Sequence, residues 1–132
     1  MNQNPELMQH VQLRSAKFAR RKQLESAWEQ RLLQGISIGD IKLRCHDVDR
    51  SAFSQLLVML AEAERMDQLP ASVPVTDRGG QIHMLSVPNL RNLLLAYGSA
   101  YQSLWVQKAQ FHAAIEQAET LEALNQISIN FP

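Results

Sequence analysis

Two hydrophobic periods alternate along this chain. Between Pro5 and Gln34 no Gly or Pro interrupts a stretch rich in Gln, Glu, Leu, Ala, Arg and Lys, and Gly35 follows as a natural stop, so the spacing predicts a long helix. At 100° per residue, Leu7, Val11 and Phe18 fall on one line, and Leu24, Trp28 and Leu32 fall on a second line about 80° away. The two halves of the helix therefore face different neighbours, or the helix bends between them. Arg14 and Arg21 lie within about 60° of the first line and Glu25 lies near its centre, which makes that stripe too narrow and interrupted for a domain core.

After Gly35 the period changes to two. Ile36, Ile38, Ile41 and Leu43 share one face around Gly39-Asp40, a two-residue loop with glycine first, as a type II′ hairpin turn requires. Asp47 and Asp49 offer N-caps for a second helix through Phe53, Leu56, Leu57, Leu60, Ala61 and Ala63 to about Met66, closed by Leu69-Pro70. A second hairpin is predicted from Val73–Thr76 and 81–85 around Asp77-Arg78-Gly79-Gly80, with Pro74 confining its strand to an edge or a beginning.

Ser86 then caps the most regular pattern in the chain. Leu90, Leu94, Tyr97, Tyr101, Leu104, Lys108, Phe111, Ile115 and Ala118 recur at alternating intervals of four and three, a heptad seam with one charged position. Unbroken, this helix would be about 45 Å long, against a globule diameter of about 36 Å, so part of it is expected to project or to kink at Gly98-Ser99. Thr120 opens a short last helix through Leu121, Leu124 and Ile127. The expected fold class is α+β: long N-terminal helix, two β-hairpins forming a small antiparallel sheet, a middle helix, a long C-terminal helix and a short terminal helix. The expected division is a basic helical arm over 1–34 and an α+β domain over 35–132.

Composition adds limits. The chain has 132 residues with 13 Lys+Arg and 13 Asp+Glu, a balance that argues against a dedicated nucleic-acid binder or acidic-membrane binder. The neutral total hides a split: residues 1–44 hold eight basic and four acidic residues, and residues 45–132 hold five and nine. The basic helix is therefore suited to docking on the acidic remainder of a second copy or of its own chain. One cysteine, Cys45, cannot form an internal disulfide, which suggests a reducing compartment. The first eighteen residues lack an apolar signal-type core, and the longest apolar run, Leu56–Ala61, is far short of a membrane span, so a soluble intracellular product is expected.

Little in the sequence suggests chemistry. Cys45, His46, Asp47 and Asp49 are the one cluster of possible ligands or acid–base groups. His10, His83 and His112 are scattered over other elements, and no nucleophile or phosphate-cradling loop accompanies the cluster. No enzyme activity, metal or other cofactor is expected. Arg14, Lys17, Arg20, Arg21 and Lys22 form a basic run without an aromatic platform, better read as a protein contact than as a phosphate track. The candidate interfaces are Leu7, Val11, Arg14, Phe18, Arg21 and Trp28 on the arm, and Tyr101, Leu104, Trp105, Lys108, Phe111 and Ile115 on the long helix.

Taken in order, several segments resemble a family of small proteins of unknown function encoded in tailed phages and prophages beside tail-fibre genes. The segments are Glu25 and Trp28 leading into Gly35–Ile38, Asp49-Arg50-Ser51, the Asp77–Gly80 turn with Leu85, and Lys108–Ala118 running into Thr120–Leu124 and Ile127. The chain departs from the family pattern at Val73-Pro74-Val75, where a tryptophan is usual, and at Val48, where a threonine is frequent. The resemblance implies a tail-associated protein without catalytic residues, either an adaptor at the fibre or baseplate or a fibre-assembly chaperone. Its partners would be other tail proteins and, through the heptad seam, further copies of itself. It would reside in the virion tail, or in the host cytoplasm during assembly. The alternative is a small phage regulator or anti-defence protein that uses the basic helix on nucleic acid or on a host complex.

Overall fold

A computed structural model describes residues 4–132, and the first three residues of the expected arm lie outside the described part. The element order is α1 (Pro5–Leu33), β1 (Ile36–Ile38), β2 (Ile41–Leu43), α2 (Asp47–Arg65), β3 (Val73–Thr76), β4 (Ile82–Leu85), α3 (Val87–Gln117) and α4 (Leu121–Asn125). The class is α+β in the expected order. The two hairpins, however, form two separate two-stranded antiparallel sheets rather than one. The chain divides into two compact units: residues 32–102, and residues up to Arg31 together with Ser103–Pro132. Residues 103–132 thus group with the N-terminal helix.

In the unit of residues 32–102, each local device follows from its sequence. Gly35 has φ +75°, and a Cβ there would lie 2.5 Å from the backbone oxygen of Leu43, so only glycine lets the chain leave α1 and enter β1 against β2. Ile36 pairs with Leu43 and Ile38 with Ile41 around Gly39. Gly39 has φ +58° and Asp40 is not left-handed, as a type II′ turn demands. The second hairpin is tied by Asp77: its Oδ1 accepts the Gly79 and Gln81 backbone N–H groups, both at 2.9 Å, and its Oδ2 accepts His83 Nε2 at 2.8 Å. These bonds hold the Asp77 carboxyl below the usual range, His83 first and the Gln81 amide next. The turn is joined to β2 by Arg78 N–H donating to the Lys42 carbonyl at 2.7 Å.

His46, not an aspartate, is the N-cap of α2, and Asp49 at N3 accepts its backbone N–H at 3.2 Å. Ser86 caps α3, its Oγ accepting Asn89 N–H at 3.3 Å. Ile36, Leu43, Cys45, Leu60, Val75, Val87, Leu90, Leu93, Leu94 and Tyr97 are buried. Tyr97 donates its hydroxyl to the Arg44 carbonyl at 2.8 Å and meets the edge of Phe53 at 5.0 Å between ring centroids. Burial, then the Cys45 thiol beside it, pushes the Tyr97 phenol well above its ordinary pKa. α3 runs through Gly98 without a break for 31 residues.

Candidate protein interface

The interaction residues expected from the sequence lie mainly in the other unit, and that unit is built around α1. Its core is Leu24, Ile115, Ala118 and Leu124, lined by Leu13, Ala16, Phe111, Ile127, Ile129 and Phe131. α4 is opened by Thr120, whose Oγ1 accepts Ala123 N–H at 3.0 Å, and beyond it the chain runs on without regular structure to Pro132.

That last segment is an extended strap laid along α1. Arg20 donates to the Ile127 carbonyl, and Arg31 Nε donates to the Pro132 carbonyl at 2.7 Å. Eleven helical residues separate the two arginines, about 16.5 Å of rise. Five residues separate the two carbonyls, about 16.5–18 Å when fully extended. The strap therefore runs in the same direction as α1. Ile127, Ile129 and Phe131 face inward while Ser128 and Asn130 face water, the period-two alternation of a strand without a sheet partner. Phe131 meets Trp28 at 5.5 Å and Phe111 at 5.4 Å, both edge-to-face, and Trp28 meets Trp105 at 6.0 Å.

The charged position of the seam belongs to this aromatic cluster. Lys108 Nζ lies 5.2 Å from the Trp28 ring and 5.4 Å from the Trp105 ring, and it pairs with Glu25 at 3.0 Å. Most of the other basic residues of α1 are likewise engaged within the unit. Arg21 pairs with Glu116 Oε1 at 2.7 Å, which draws the Glu116 carboxyl below its usual pKa, and Lys17 donates to the Glu116 carbonyl at 2.8 Å. Arg21–Glu116 is thus a pair between the basic segment and the acidic remainder of the same chain.

The expected interface residues separate accordingly. Trp28 is 6% exposed, Leu104 and Ile115 are buried, and Phe111 is half-buried against Phe131. Tyr101 lies under the Arg50 guanidinium, 4.1 Å above its ring. Burial raises the Tyr101 phenol pKa despite that cation. Every residue of the seam, from Leu90 to Ala118, is buried or half-buried. Trp105, 47% exposed, is the one large apolar side chain of the long-helix set at the surface. On α1 the outcome is reversed: Leu7, Val11 and Phe18 are 60, 54 and 55% exposed, on a line roughly 140° round from the buried face of Leu13, Ala16, Arg20 and Leu24. Arg14 is exposed beside them.

Sequence reasoning missed a second exposed apolar set, in the unit of residues 32–102. Ile82 and Met84 stand on the outer face of β4, opposite Thr76 and Pro74, and Val58 and Met59 project from α2. The period-two signal was present at Ile82 and Met84, but it did not say which face of the hairpin was inward. In the Cys45–Asp49 cluster, Cys45 is buried, Asp47 pairs with Arg50, and Asp49 pairs with Arg44 at 3.2 Å. Among the described residues, no three His, Cys, Asp or Glu side chains converge as metal ligands, and no helix is long and apolar enough to cross a membrane. In comparisons with known proteins, no family model, no curated protein and no solved structure matches the chain.

Proposed function

We propose that this chain is a non-enzymatic interaction protein of the tailed-phage tail, acting as a small adaptor at the fibre or baseplate or as a fibre-assembly chaperone. The observation that carries the interaction part is the outward line of α1. Leu7, Val11 and Phe18 are each more than half exposed on a helix whose opposite face is fully committed to its own core. A stripe of large apolar side chains left open beside a packed face is the usual mark of a surface awaiting a partner. The tail context rests on the family resemblance of Glu25–Ile38, the Asp77–Gly80 turn and Lys108–Ile127.

The charge placement weighs against the regulatory alternative. Lys17, Arg20 and Arg21 of the basic run are engaged with residues 116–127, which removes most of the cations a phosphate backbone would require. The test is co-expression of the chain with the fibre and baseplate proteins of its own phage, followed by quantitative mass spectrometry of purified virions. An adaptor is recovered in particles at fixed stoichiometry, and a chaperone is recovered with fibre protein but not in particles. Recovery with neither removes the tail reading.

A further inference from the structure

Resting on this interaction reading, we propose that the outward face of α1 over residues 7–22 receives an amphipathic helix with acidic flanks. Leu7, Val11 and Phe18 span about 16.5 Å of helix, three turns of apolar contact at intervals of four and seven residues. Arg14 stands between Val11 and Phe18 and makes no ion pair or hydrogen bond among the described residues. Beside it lies a hollow of about 530 Å³ lined by Arg14, Ser15, Lys17, Phe18, Arg21 and Glu116. Lys17 and Arg21 are held there by Glu116, which leaves Arg14 to receive a carboxylate side chain from outside. On the other flank Lys22 rests over the Phe18 ring at 4.6 Å. An apolar line bordered by cations on both sides selects a helix with an apolar line bordered by carboxylates.

Two other occupants match less of this surface. A nucleic-acid backbone would meet Glu25 and Glu29, which continue the same line toward the end of the helix, and it would leave the three apolar residues without a partner. A second copy of α1 satisfies either the apolar residues or the charges. The antiparallel register that sets Val11 against Phe18 of the copy brings the two Arg14 side chains together. The register that sets Arg14 against Glu29 of the copy places Phe18 on Glu25 and leaves Leu7 beyond the end of the copy's helix. A parallel in-register pair opposes Arg14 with Arg14 and Glu25 with Glu25.

The experiment uses the full chain and two fluorescein-labelled three-heptad peptides with leucine at the a and d positions, one with Glu and one with Lys at e and g. Binding is read by fluorescence anisotropy at low and high salt. The Glu peptide is expected to bind about tenfold or more tightly than the Lys peptide, with the difference shrinking at high salt. The R14E and F18S variants, both at exposed positions and checked for retained fold by circular dichroism, are each expected to weaken the Glu peptide about tenfold. Equal binding of the two peptides overturns the proposal. So does absence of binding by either peptide, unchanged binding by R14E, tighter binding of a short DNA duplex, or self-association in sedimentation that R14E abolishes. If the peptides fail while the chain still co-purifies with fibre or baseplate protein, this inference falls and the tail reading stands.

Discussion

Replacing Phe131 with alanine tests whether the C-terminal strap is part of the fold. Phe131 is partly buried against the core of Leu24, Ile115, Ala118 and Leu124, and it makes two edge-to-face contacts, with Trp28 and Phe111. Truncating a fully buried phenylalanine costs about 3–5 kcal/mol, so half-burial brings this to about 2. Two ring pairs at the low end of their range add about 1 kcal/mol, for about 3 kcal/mol in all. With a urea dependence of about 2 kcal/mol per molar, the midpoint should fall by about 1.5 M. The chain's two tryptophans, Trp28 and Trp105, both belong to this cluster, so intrinsic fluorescence during urea titration reports on the strap's own surroundings. F131L, which keeps apolar bulk and removes only the ring pairs, should lose about 1 kcal/mol, a midpoint shift of about 0.5 M. A shift below about 0.3 M for F131A would mean that the strap contributes nothing to packing, and the reasoning would be refuted.

Three further outcomes follow from the geometry. G35A imposes a left-handed alanine, about 1–2 kcal/mol, and drives its methyl group onto the Leu43 carbonyl; the melting temperature followed by circular dichroism should drop by about 5 °C or more, and an unchanged melt refutes the requirement for glycine. The folded-state pKa of Asp77 lies below its unfolded value, so its stabilisation is complete above about pH 4 and is lost as pH falls through the depressed value; D77N should therefore flatten the decline in urea midpoint between about pH 5 and pH 2, and an identical slope contradicts the bond to His83. Both tyrosines are raised, Tyr97 strongly, so stability linked to them is intact below about pH 10 and declines only above it; absorbance near 295 nm should show little phenolate in the folded protein at about pH 10, and half-ionisation there would contradict their burial.

The elements were legible because their periods are clean. Gly39 and Gly35 at the turns, Ser86 and Thr120 at helix starts, and the four-and-three spacing of α3 each specify local geometry that the structure adopts. The candidate interface was legible only in part. Periodicity separated the line of Leu7, Val11 and Phe18 from that of Leu24 and Trp28, but both lines are similarly apolar, and spacing carries no information about which one finds a partner within the chain. The deciding residues are the cations. Arg20 and Arg31 lie on the packed face of α1, where hydropathy places no core, because their guanidinium groups reach the carbonyls of Ile127 and Pro132. The strap was obscure for the same reason: Ile127, Ile129 and Phe131 alternate as a strand does, and in place of a neighbouring strand the two arginines and the aromatic contacts of Phe131 fix their place. Lys108 in the seam resembled an interruption until two tryptophans and Glu25 surrounded it.

The alternation of the strap also limits how this part of the protein can diverge. Ser128 and Asn130 face water, so many residues can replace them without loss. The number of residues between the two arginine-held carbonyls is another matter. Adding or removing one between Ile127 and Ile129 would turn the side chains that follow to the opposite face. Related chains that keep Arg20 and Arg31 eleven positions apart should therefore vary freely in the identity of the two outward residues while holding the length of the segment constant.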